Sequence, residues 1–345
     1  MCDNLKKFSS LKKTECSILL TKERDKEVTV MLNYSMLYPR ETVSRRAVSL
    51  DGMWKFCLDW ESAGESKNWQ EGIPGKDMIP VPASFQDFYT DKDIREYAGD
   101  LWYERDMFVP GEWKGKQVLV RFGAATHRAS VFVNGIKVAE HEGGFLPFCA
   151  DVTDVVRYNA YNKVVVKVNN ELTGKKMCKP YFDFFNYSGL QRSVWLTALP
   201  KESVFDIETT YELCGSDAKV AYTVKTTGDH PVTVEFFDED GQLAASAEGK
   251  EGVLEVKDAH LWKVRNAYLY RMVIRIVDEG EILDEYSQEI GIRTVEVKDT
   301  SILINGEPVY LRGFGKHEDS DVVGRGFNIG IMKRDFELMK WIGAN

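Results

Sequence analysis

The stretch ASVFVNGI, Ala129 to Ile136, decides how most of this chain is read. Small, β-branched and aromatic residues lead into Asn-Gly, and an apolar residue follows. Such a run favours a pleated strand, and Asn134-Gly135 supplies two residues that tolerate positive φ, as a type I′ hairpin turn requires. The same grammar extends outward in both directions. VLVRF at 118–122 and KVVVKV at 163–168 are further β-rich runs, and Gly, Pro and Asn punctuate short segments of this kind from about 50 to 199. Many short strands at such spacing predict a β-sandwich or a jelly roll.

A second all-β unit follows over 200–293, with strands predicted at Lys219–Val224 and Val232–Phe237 and a turn at Asp238-Glu-Asp-Gly241. YRMVIRIV, 270–277, places Met272, Ile274 and Ile276 on one face and Arg271, Val273 and Arg275 on the other. Its length and strand spacing fit an immunoglobulin-like sandwich. After Thr294 the pattern changes. Ile302–Ile304 and Pro308–Leu311 flank Asn305-Gly306, a loop runs from Gly313 to Asn328, and Met332, Phe336 and Met339 recur at i, i+4 and i+7. That spacing predicts an amphipathic helix closed by Gly343. A strand, a charged loop and a helix make one β/α unit, which cannot bury a parallel strand without neighbours. The apolar helix face is therefore expected to be exposed in this chain. Residues 1–35 read as a disordered extension ahead of the first domain.

Bulk properties narrow the function. The chain has 345 residues, 43% hydrophobic, with 45 Lys and Arg against 54 Asp and Glu, a net charge of −9. A net negative charge and no basic stripe argue against a nucleic-acid partner. No run approaches the roughly 20 apolar residues of a membrane span. The six cysteines (Cys2, Cys16, Cys57, Cys149, Cys178, Cys214) show no CxxC and no zinc spacing, so no metal or other cofactor is implied. They read as reduced thiols of a cytoplasmic protein, mostly buried, with Cys178 a candidate exposed thiol.

The dense titratable run YLRGFGKHEDSD, 310–321, and the aromatic run YFDFFNY, 181–187, are the candidate chemistry. Aromatic faces pack on sugar C–H surfaces while a fixed carboxylate accepts from vicinal hydroxyls. The bland alternatives are interdomain packing for Phe182, Phe184, Phe185 and Tyr187, and a solvated loop for Glu318, Asp319 and Asp321. His127, His141, His230 and His260 read as structural. No phosphate loop and no Ser/His/Asp arrangement is present.

Taken in order, LDGMWKF (50–56), YAGDLWY (97–103), VFVNG (131–135), HEGG (141–144), DFFNYSG (183–189) and GFGKHED (313–319) resemble the bacterial β-glucuronidases of glycoside hydrolase family 2. The resemblance implies a jelly-roll sugar-binding domain at 36–199, an immunoglobulin-like β-sandwich at 200–293, and from 294 to 345 the first β/α unit of an incomplete (β/α)8 TIM barrel. It further implies that Asp183, His317 and Glu318 contact a β-D-glucuronide. In a barrel, the strand leading to Lys316, His317 and Glu318 would deliver them to the catalytic mouth. Family members hydrolyse with retention, using an acid/base Glu and a nucleophile Glu that fall beyond Asn345, so this stretch alone is expected to be inactive. Relatives form tetramers, which makes a homo-oligomer the expected full-length state. The competing readings are a sibling β-galactosidase or β-mannosidase, and a non-catalytic carbohydrate-binding protein.

Overall fold

The computed structural model describes residues 37–172 and 185–345, and the expected extension over 1–35, Cys178 and Asp183 lie outside them. Two antiparallel sheets form the first sandwich. One has four strands in the spatial order Arg46–Ser49, Val194–Leu199, Gln117–Phe122, Phe148–Asp151. The other has six: Met78–Val81, Gly52–Leu58, Asp100–Val109, Ala160–Asn169, Arg128–Val133, Ile136–Glu142. Alternation buries Trp54, Phe56, Tyr103, Val131, Val166, Phe122 and Leu196 between them. The decisive stretch forms as read: Asn134 and Gly135 have φ of 51° and 83°, and Arg128–Val133 pairs antiparallel with the strand that follows.

The second sandwich packs a three-stranded sheet (Val204–Cys214, Asp217–Thr226, Glu251–Val256) on a four-stranded one. That sheet runs Leu243–Glu248, Val232–Phe237, Tyr270–Asp278, Glu281–Ile290. Met272, Ile274 and Ile276 are fully buried, as the alternation requires, and Tyr270 stacks on Phe236 at 4.8 Å. Val273, on the opposite face, is buried as well.

The two sandwiches are bolted by the segment that precedes Arg46. Arg45 donates from Nε to Asp284 Oδ1 (2.9 Å) and from Nη2 to Asp284 Oδ2 (2.6 Å) and Val204 O (2.5 Å). Ser44 Oγ and the Val204 N–H donate to the same carboxylate, which is completely buried. Burying a charge is tolerable only with this degree of pairing.

Past Thr294 the hairpin read at Asn305-Gly306 forms, and only the end of its second strand needs correcting. Val295–Lys298, Ser301–Ile304 and Glu307–Val309 form an antiparallel meander, turned at Asn305-Gly306 with φ of 55° and 76°. The strand expected at Pro308–Leu311 stops at Val309, and residues 310–319 are irregular. A strand exists only where a neighbour satisfies its ladder. Here the main neighbour of that segment is Asn345, whose N–H and side-chain NH2 donate to the carbonyls of Arg312 (3.0 Å) and Tyr310 (3.0 Å). The chain thus returns alongside Tyr310–Arg312 after the helix Ile329–Trp341. Asn328 caps this helix by accepting from the Gly330 and Ile331 N–H groups, and Gly343, at φ +100°, ends it.

The helix has no buried residue, and Phe336, Leu338, Trp341 and Ile342 are exposed, as expected. The stripe is rotated relative to the expectation, however. Met332, Asp335 and Met339 are half-buried, and Phe336 is not. On the half-buried side Asp335 meets Lys316 at 3.0 Å, and that hydrogen bond holds its carboxyl below the usual range. Among the described cysteines Cys149 is buried and Cys57 half-buried, while Cys214 is exposed because it closes a strand at a hairpin tip. No helix among the described residues is long and apolar enough to cross a membrane.

Candidate functional site

The titratable run folds over one rim of the jelly roll, fixed by a short clamp. Ser84 N–H donates to Val323 O (3.0 Å), Arg325 N–H to Ser84 Oγ (3.1 Å), and Phe327 N–H to Gln191 O (2.9 Å). Gln191 is itself buried: its NH2 donates to Ser84 Oγ (2.8 Å), and its carbonyl accepts from Thr126 Oγ1 (2.7 Å). Gly326 lies so close that a Cβ would stand 2.5 Å from Ala83 Cα. Only glycine fits there, so the backbone contact dictates the residue.

This clamp creates a cleft of about 450 Å³ lined by Phe145, Gln191, Arg192, Lys316, His317, Glu318 and Arg325 among others. Arg192, from the jelly roll, forms an ion pair with Glu318 and lies 5.7 Å over the Phe327 ring. Arg325 lies 5.9 Å over Phe145, whose ring meets His127 edge-on. A more apolar hollow of about 300 Å³, walled by Phe327, Ile331, Met332 and Phe336, adjoins it and shares Lys316 and Glu318.

His317 lines the cleft with its side chain 60% exposed, and its Nδ1 stands 3.9 Å from Asp319 Oδ1. Glu318, expected to face a sugar, directs its carboxylate to Arg192. Asp183 lies outside the described residues, but both flanks of its segment are anchored. Asn170, before it, donates to Ser188 Oγ (2.9 Å), and Asn186, after it, donates to Asn170 O (2.9 Å). Asn186 Oδ1 meets His127 Nε2 at 2.9 Å, and Gln86 donates to Asn186 O and Ser188 Oγ. Burial holds His127 below the usual imidazole range, so it serves as a neutral hydrogen-bonding strut. Burial raises the Tyr187 pKa, and the carboxylates of Asp87 and Asp319 add to it.

Arg192, Gln191, Arg325 and Phe145 were not singled out by sequence reasoning. Three residues separate Gln191-Arg192 from the aromatic run that carries Asp183, and that proximity was the available signal. The structural reading of the other histidines agrees with their surroundings: His141 stacks on Phe148 at 4.3 Å, and His230 is held by Glu202. Among the described residues no group of three or more His, Cys, Asp or Glu could hold a metal ion.

Comparison with known proteins adds a consistent context. Residues 47–200 match the glycosyl hydrolases family 2 sugar binding domain, 194–293 match glycosyl hydrolases family 2, and 295–345 match that family's TIM barrel domain. A curated β-glucuronidase of Paenibacillus borealis is 40% identical over 90% of this chain, and that of Rattus norvegicus 38% identical over 92%. The crystal structure of Ruminococcus gnavus β-glucuronidase superposes with a TM-score of 0.88 at 54% identity, covering 91% of this chain. The same enzyme has been solved in complex with D-glucuronic acid. The chain spans 56% of the Paenibacillus protein, 55% of the rat one and 56% of the solved chain.

Proposed function

The chain belongs to glycoside hydrolase family 2, and from that premise we propose that it forms the sugar-recognising part of a retaining β-glucuronidase. The observation that carries the reading is the cleft in which Arg192 of the jelly roll pairs with Glu318 beside His317. Its Lys316–Glu318 wall belongs to the part of the chain that matches the family's TIM barrel domain, and a barrel of this type carries its site at the strand ends. Asp183 would accept from sugar hydroxyls, His317 would contact the ring substituents, and Glu318 would act with Arg192 as a paired charge at the pocket edge. A cleft with Arg192, Arg325 and Lys316 against Glu318 suits an acidic sugar better than a neutral one.

No residue of the sequence is assigned as acid/base or nucleophile. Retaining hydrolysis needs two carboxyl groups about 5 to 5.5 Å apart. A polypeptide of residues 1–345 should therefore release no chromophore from an aryl glucuronide. The reading further includes a cytoplasmic, homo-oligomeric full-length protein, on the ground of its scattered thiols and its relatives.

A chimera tests the proposal. Residues 37–345 would replace the matching part of the Ruminococcus gnavus enzyme, followed by assay on aryl β-glucuronide and β-galactoside. Hydrolysis confined to the glucuronide, and reduced by at least about 100-fold in Asp183→Ala or His317→Ala variants, is the expected result. A folded chimera that prefers the galactoside would assign the cleft to a sibling activity.

A further inference from the structure

We propose that the outer face of the four-stranded sheet holds a second binding site, for a small carboxylate-bearing ligand, built on Arg121 and Trp195 and walled by Tyr38. It does not depend on the glucuronidase reading. Arg121 lies on Gln117–Phe122, facing away from the core, with Trp195 and Cys149 directly opposite it on the two neighbouring strands. Arg121 Nε and Trp195 Nε1 are both buried, and neither N–H has an acceptor among the described residues. The Tyr38 ring stands 5.9 Å from the Arg121 guanidinium and 6.1 Å from the Trp195 ring, edge-on to the latter. Tyr38 is 57% exposed, so it can swing without disturbing the core.

Arg45 shows how this protein settles a buried guanidinium: with a carboxylate, a carbonyl and the ring of Tyr286 at 4.9 Å. Arg121, half-buried, has among the described residues only the Tyr38 ring. The groups that act on its charge are Cys149, Tyr38 and Tyr286, none of them a carboxylate, and burial lowers its pKa. Burial also pushes the Cys149 thiol up to about 11, so at neutral pH it is no thiolate counter-ion. Buried donors are otherwise almost always satisfied, and a guanidinium without a counter-ion is costly.

The donor set selects the ligand. A guanidinium presents a planar fork that matches a carboxylate bidentately, and an indole N–H on a directly opposed residue is within reach of the same group. The edge-to-face Tyr38 and Trp195 rings suit a flat apolar body behind it. An aryl or short-chain carboxylate therefore fits better than tetrahedral phosphate.

The test is calorimetric titration and tryptophan fluorescence of the 345-residue chain at low salt, with benzoate, acetate and inorganic phosphate as probes. Benzoate should bind saturably, with acetate and phosphate weaker, and should perturb emission in the wild type but not in Trp195→Phe. Arg121→Gln should weaken binding by at least about tenfold, as loss of a charge-assisted pair implies. If that variant fails to fold, Trp195→Phe decides, with an expected weakening of about threefold or more. No saturable binding, or equal affinity in both variants, would overturn the proposal. So would loss of binding in Arg192→Gln, which would assign the anion to the rim cleft.

Discussion

Two seams tie the jelly roll to the rest of the chain, and each is crossed by an arginine–carboxylate pair. At the first, Arg45 and Asp284 are buried, with side-chain exposures of 4% and 0%. At the second, Arg192 and Glu318 keep 31% and 61%. The chemistry is the same and the consequence differs. The first carboxylate accepts from Arg45, Ser44 and the Val204 backbone, so nothing there is left for a ligand. The second pair borders open space, where water and salt screen it and leave either partner accessible. Adhesion at the second seam falls instead to backbone: the Ser84–Val323 and Gln191–Phe327 hydrogen bonds and the close approach of Gly326. A fold can thus bolt one junction with a buried charge and leave the equivalent charge at another free to act.

The comparison breaks most visibly at Asp284. Asp284→Ala strands Arg45 in the interior and should cost about 3–5 kcal/mol, read as a lower urea midpoint. The double variant Arg45→Met/Asp284→Leu should recover most of it, and a loss as large as the single variant's would show that hydrogen bonding rather than desolvation dominates. Gly326→Ala comes next, at about 1–3 kcal/mol from forced displacement. Its signature is faster amide exchange over Ser320–Phe327 with no change near Arg45. If exchange rises equally at both seams, they are not independent. Glu318→Gln should change stability by no more than about 1 kcal/mol, and less in high salt, while altering ligand affinity in the chimera.

Acidification should give the smallest effect. Because burial depresses His127, the folded state binds its proton less readily than the unfolded one. That contribution to stability is present above the unfolded value of about 6.5 and is lost as pH falls from there through the folded pKa. His127 ring resonances followed by NMR should titrate below about 6.5, with Asn186 and Gly144 shifting in parallel and Asp284 unmoved. Titration above that value would contradict the strut role.

What the sequence disclosed was local. Asn134-Gly135 and Asn305-Gly306 carry their turn geometry within two residues, and 270–277 writes its buried face in its own alternation. The strand expected at Pro308–Leu311 failed because a strand is a relation between segments, and Tyr310–Arg312 meets little more than Asn345. The two seams were invisible for the same reason: Arg45 and Asp284 are 239 residues apart, and Arg192 and Glu318 are 126 apart. His317 reached the cleft because a motif marked it. Arg192 lines the same cleft and carried no such mark.

The distance between Arg45 and Asp284 also has a meaning in time. Ribosomes extend a chain at roughly 5–20 residues per second, so roughly 10 to 50 seconds separate the emergence of the two side chains. Throughout that interval the jelly roll can close, but the strap around Arg45 has nothing to close upon, and the guanidinium must stay in water. The last strand of the second sandwich therefore acts as the latch for a segment made long before it. A pause in translation before Asp284 would prolong the period in which this strap is open to proteases and chaperones.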